Sequence, residues 1–225
     1  MKLGTILLAF AAGVLVLPSA YAKQPRLVDA SGFDVAGVKI GMDFEQAREA
    51  VAKHFNVAPG EIRSAKYSPP DCGGSDVAWR VKEITGAEHP FHFGYKKDNV
   101  ELAVCFEPRL PVDKARPVTV VKVVYQIPKT KENAAAMREA ALSKYGEPTY
   151  TKPSNPISEI EVGWCAKINT TFNDCTNPKK DQAKLFIPSI LDGTTMILED
   201  PRPGSAATQY LQELKDSKAK TKPKF

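Results

Sequence analysis

Several things are scarce in this chain, and each scarcity removes a class of function. The longest apolar run, Leu3 to Leu17, is about 15 residues, short of the ~20 that a membrane-crossing helix needs. No transmembrane segment is therefore expected. The chain contains no Gly-x-Ser-x-Gly elbow, phosphate-binding glycine loop, dinucleotide fingerprint or His-Glu-x-x-His helix. Those gaps leave no recognisable nucleophile elbow, nucleotide cradle or zinc-protease helix, and no cofactor is expected. There are only three histidines. His89 and His92 are the one close pair. Pro90 lies between them and Phe91 opens a strand pattern, so the two rings are expected to point apart and no metal site is assigned. The four cysteines stand 33, 60 and 10 residues apart, without a Cys-x-x-Cys pair, which does not suit a zinc knuckle. Basic residues are not interleaved with aromatics, so nucleic acid is not an expected partner.

What the chain does have begins at its first residues. Lys2, the apolar run, Pro18 and the small-residue triplet Ala20-Tyr21-Ala22 form the pattern of a secretory signal peptide. Cleavage after Ala22 would leave a soluble periplasmic chain starting at Lys23. No cysteine follows the apolar run as a lipid acceptor. The formal charge of +5 owes much to the lysines between Lys215 and Phe225, read here as a solvated, disordered basic tail. All four cysteines, Cys72, Cys105, Cys165 and Cys175, lie beyond the leader. An even count in an exported chain points to disulfides. Of the three possible pairings, Cys72–Cys105 and Cys165–Cys175 are favoured, because each keeps its partners within one half of the chain. A competing reading makes Cys72 a nucleophile in the loop Pro69 to Ser75, whose glycines could offer backbone amides to an oxyanion.

Hydrophobic periodicity gives an α+β class: antiparallel sheet covered by helices, arranged as two similar helix-then-strands modules. The first module spans residues 23–128. Its helix starts at Asp43, which can cap the first turn, with Gln46 completing a capping box. Phe44, Ala47, Val51, His54 and Phe55 then recur at helical spacing. Pro59 to Arg63 suits a second short helix. Asp76 to Ile84 reads as a strand around Trp79. Phe91 to Tyr95 and Val100 to Phe106 read as a hairpin across Lys97-Asp98-Asn99. Val118 to Ile127 is the richest β segment, with Val121, Val123, Tyr125 and Ile127 expected on one face. The second module spans residues 129–214. It opens with a helix from Lys131 to Tyr145 and a left-handed cap at Gly146. Strands follow at Glu159 to Cys165, Ala183 to Pro188 and Thr194 to Leu198, then a helix from Ala206 to Lys215. A single continuous sheet is an equal alternative, because Val118 to Ile127 could serve either half.

The segment Gly37-Val38-Lys39-Ile40-Gly41-Met42-Asp43, followed by an amphipathic helix, resembles the opening of SmpA/OmlA outer-membrane assembly lipoproteins and of β-lactamase-inhibitor-like modules. Ile40, Gly41 and Met42 match the step, and Asp43 stands where Ser or Thr is usual. The likeness covers about a tenth of the chain and implies an envelope module that binds other proteins.

The expected function is a non-catalytic periplasmic binding or accessory protein. Its partner would be another envelope or secreted protein, or a cell-wall component. The loops Ser68 to Ser75 and Ala166 to Gln182 are the expected contact regions, with Trp79, Trp164, Asp71 and Lys167 as binding candidates. Three alternatives stay open. They are an inhibitor or immunity protein of a secreted enzyme, a periplasmic hydrolase, and a small-ligand carrier. The last requires an apolar cavity between sheet and helices.

Overall fold

The computed structural model describes residues 32–62, 72–148, 150–155, 159–165, 184–187 and 193–220. The expected signal peptide, Asp71, Lys167, Cys175 and most of the two expected contact loops lie outside these residues. The elements are β1 (Asp34–Val35), β2 (Val38–Lys39), α1 (Phe44–Phe55), α2 (Gly74–Thr85), β3 (His92–Lys97), β4 (Val100–Pro108) and β5 (Val118–Gln126), then α3 (Lys131–Tyr145), β6 (Tyr150–Asn155), β7 (Glu159–Cys165), β8 (Lys184–Ile187), β9 (Thr195–Glu199) and α4 (Arg202–Lys220). The protein is α+β. One antiparallel sheet of seven strands runs in the order β3-β4-β5-β9-β8-β7-β6. Each half of the chain supplies a meander, and the two meanders meet at their last strands, β5 against β9. The sheet is thus continuous across the seam near Pro128.

Local chemistry explains most boundaries. Asp43 accepts from the Gln46 amide at 2.9 Å, and the Gln46 side chain accepts from the Asp43 amide at 3.1 Å. Two otherwise orphaned donors at the start of α1 are satisfied by this reciprocal pair. The β3–β4 turn places Asp98 and Asn99 at φ of 50° and 62°, the left-handed pair that a two-residue hairpin requires and that Asp and Asn tolerate. α3 starts at Thr130, whose hydroxyl accepts from the Asn133 amide.

A bulge shifts the register within the β4–β5 pair: Cys105 faces Lys122, but Phe106 faces Val120. Val121 is the extra residue. The bulge corrects the expected face of β5. Val120, Val123 and Tyr125, rather than Val121, lie opposite Phe106, Val104 and Leu102. The freed end of β5 bonds elsewhere: Val120 exchanges backbone bonds with Gly41 and Met42, and the Val121 carbonyl accepts from Asp200.

Helices cover both faces of this half of the sheet. α1, α3 and the β1–β2 hairpin lie over the Leu102–Val104–Val123 face, where Phe93, Phe106, Trp164 and Leu198 are fully buried. α2 and α4 lie over the other face, which carries Cys105 and Glu107. The Cys72–Cys105 disulfide joins the approach to α2 to that face.

Four expectations need correction. Asp76 to Ile84 is helix, not strand. Val77, Val81 and Ile84 are buried at i, i+4, i+7, and Gly86 provides a left-handed stop; the alternation Val77-Trp79-Val81 mimics a strand over too few residues. Gly146 has positive φ but ψ of −158°, which is not the left-handed helical cap. α4 continues to Lys220, so the tail expected to be disordered from Lys215 is helical over its first half. There the Lys215 ammonium sits 5.2 Å from the Trp79 ring centre. β6 was not foreseen, because Thr151-Lys-Pro-Ser-Asn155 lacks apolar alternation and carries a proline that only an edge strand accepts. Among the described residues no helix is long and apolar enough to cross a membrane.

Candidate functional site

An apolar depression lies between α1, α3 and the sheet. A pocket of about 350 Å³ opens there. Its floor is Tyr125 and Ile127 at the end of β5 with Met196 of β9. Met137, Ala140 and Ala141 of α3 make one wall, and Val35, Ala36 and His54 close the other side. The sequence explains why space remains. α3 presents small methyls at Ala136, Ala140 and Ala141 where a longer side chain would fill the gap.

The β1–β2 hairpin and the end of α3 are tied together beside this pocket. Asp34 is the knot. Its carboxylate accepts from the Gly37 amide at 3.0 Å and from the Lys144 ammonium at 2.7 Å. Its backbone carbonyl accepts from Lys144 at 3.1 Å and from the Tyr145 hydroxyl. The Tyr145 ring stands edge-on to Phe33 and 5.5 Å from Trp164. Burial, aided by the Asp34 charge, pushes the Tyr145 phenol well above its usual range, so it remains a donor. Burial likewise raises Tyr125. Burial lowers His54, and the Lys144 cation adds to that effect while Asp34 partly offsets it. The pocket therefore holds a neutral imidazole, two phenol hydroxyls and one ammonium, all otherwise set in apolar surface.

Two other depressions differ in character. A cleft of about 200 Å³ lies over the disulfide, where Arg80, Glu107 and Asp200 gather. Arg80 grips Glu107 through Nε and Nη2, the Nε bond measuring 3.1 Å. Arg202 grips Asp200 at 2.6 to 3.0 Å. Both carboxylates are neutralised in place, so they brace α2 and α4 against the sheet. Gly204 permits that approach: a Cβ there would lie 3.1 Å from the Glu107 carboxylate. A third cleft of about 450 Å³ beside Lys114 to Val118 mixes Asp43, Glu45, His89 and Arg116. Two of its charged groups, Glu45 and Arg116, are already committed to neighbours.

The residues expected to bind do not converge. Trp164 is wholly buried, and its indole donates to the Gly146 carbonyl at 3.1 Å. It is a core pillar and cannot act as a groove-floor anchor. Trp79 is 45% exposed on α2, on the opposite sheet face from the pocket. Cys72 is bonded to Cys105 with Cα atoms 5.2 Å apart, which removes it as a nucleophile. The expected Cys165–Cys175 pair falls outside the described residues. His92 is buried in β3, opposite Cys105, and among the described residues no three His, Cys, Asp or Glu side chains group as metal ligands.

No family model, curated protein or solved structure matches this chain. The functional reading rests on the site itself. The sequence pattern places His54 and Tyr125 on apolar faces, which is where they lie, without showing that those faces leave a gap. The signal was the alanine density of α3. A helix with small residues toward its neighbours either packs very closely or leaves room, and only the structure distinguishes the two.

Proposed function

We propose that this is an exported, non-catalytic binding protein of the bacterial envelope, and that the pocket between α1 and α3 is where it takes its ligand. The observation that carries this reading is the pocket's composition: an apolar lining of about 350 Å³ with a few polar groups at one side, the general character of small-molecule sites. The signal-peptide pattern and the Cys72–Cys105 disulfide support an oxidising destination. The Gly41-Met42-Asp43 step opens a capped helix packed on the sheet. At the disulfide-side cleft, Glu107 and Asp200 are held by arginines and Cys72 is oxidised.

The test is binding of a neutral apolar dye such as N-phenylnaphthylamine to the purified protein, with and without Ala140→Phe. Ala140 is exposed on α3 and lines the pocket, so the substitution should fill the space while changing stability by no more than about 0.5 kcal/mol. Dye fluorescence enhanced by the wild type and lost in the variant, with unchanged circular dichroism, is expected. Equal enhancement by both proteins would place the dye elsewhere and end this reading.

A further inference from the structure

Each of the pocket's polar groups can donate a hydrogen bond, although the neutral imidazole and the phenols can also accept one. Lys144 can only donate hydrogen bonds, and His54, Tyr125 and Tyr145 each carry a donor proton. Tyr145 spends its proton on the Asp34 carbonyl. Among the described residues, the His54 ring and the Tyr125 hydroxyl make no side-chain hydrogen bond, and their rings meet edge to face at 5.8 Å. The one nearby carboxylate, Asp34, is not part of the pocket lining and already accepts from Gly37 and Lys144. His54, Tyr125 and the one Lys144 proton not spent on Asp34 are therefore left for a guest, with no acidic group among the lining residues. A complementary guest needs an acceptor end, preferably anionic, and an apolar body. The body must be modest: at about 30 Å³ per non-hydrogen atom, the share of a liquid water, about 350 Å³ holds on the order of ten such atoms.

We propose that the ligand is a medium-chain carboxylic acid. Its chain lies against Met137, Ala140, Ala141 and Met196, and its carboxylate meets His54, Tyr125 and Lys144. This rests on the pocket being the binding site and names the class of molecule it takes. Charge-assisted bonds are roughly twice as strong as neutral ones, so the head group decides selectivity and the chain supplies the bulk of the burial. Protonation of His54 couples to binding. The groups facing it are Lys144 and Tyr145 from α3, Asp34 from β1 and Tyr125 from β5, while β9 presents Met196. In the empty pocket, burial and Lys144 resist an imidazolium. A bound carboxylate would favour it, so the acid should bind more tightly as pH falls through the imidazole range while the ligand stays ionised.

The experiment is calorimetric titration of the purified protein with decanoate and with decanol, at about pH 8 and about pH 6. Decanoate should bind at least about tenfold more tightly than decanol, as a charge-assisted contact implies, and should gain affinity at the lower pH. His54→Phe should still bind decanoate but lose the pH dependence. Equal affinity for the acid and the alcohol would overturn the carboxylate assignment and leave an apolar pocket. Failure of both ligands, with the neutral dye also unbound, would overturn the pocket as well.

Discussion

His54 shows how one residue connects burial, charge and stability. Its imidazole is held below the ordinary 6.5, first by burial and then by the Lys144 cation. In the unfolded chain the ring takes a proton as pH drops below 6.5; in the folded chain it resists. The folded state therefore has its full stability from this residue above that value. It loses stability as pH falls from 6.5 toward the lower folded value, and no further below it. Urea titrations of the ligand-free protein across this window should show the loss, and His54→Gln should remove part of it. An unchanged slope in the variant would mean that the ring is not shielded as its position implies. Tyr145 has the complementary role: its phenol, buried and bonded to Asp34, fixes the end of α3 against β1 and thereby sets the pocket's width.

At the level of elements, the disulfide is the clearest structural device. It anchors the approach to α2 on β4, on the face where Arg80 meets Glu107 and Gly204 lets α4 come close. With its partners 33 positions apart in sequence, the chain-entropy account assigns it about 3–4 kcal/mol. Cys72→Ser with Cys105→Ser should lower the urea midpoint accordingly, and a reducing agent should do the same to the wild type. A double variant as stable as the parent would show that α2 docks without the link. Element types were legible in the sequence wherever a pattern ran long enough. The capping box of α1, the β3–β4 hairpin and the span of α3 follow from spacing and turn chemistry. α2 did not, since Val77 and Val81 fit both periods, Trp79 completes the alternation of a strand, and only Ile84 favours the helix. The β5 bulge was hidden because one extra residue is invisible without the partner strand, yet it determines which valines enter the core. β6 was hidden because edge pairing does not require apolar alternation.

On the scale of the whole molecule, two meanders joined at β5 and β9 build one sheet, and the two faces divide the work. The disulfide face is braced by Arg80–Glu107, Arg202–Asp200 and the cystine. The opposite face holds the aromatic core and, where α3 carries its alanines, the pocket. That division could not be read from residues far apart in sequence. Trp79 and Trp164, equal candidates as a sequence, separate into a surface ring under Lys215 and a core pillar on Gly146. The pocket gathers residues from β1, α1, β5, α3 and β9, which no local motif announces. The account is tested most directly by methionine-methyl NMR during titration with decanoate. Met137 and Met196 line the pocket, whereas Met42 packs at the entry to α1. The Met137 and Met196 methyl signals should move together and saturate while Met42 stays in place. Stationary Met137 and Met196 signals, or a Met42 shift as large as theirs, would contradict it.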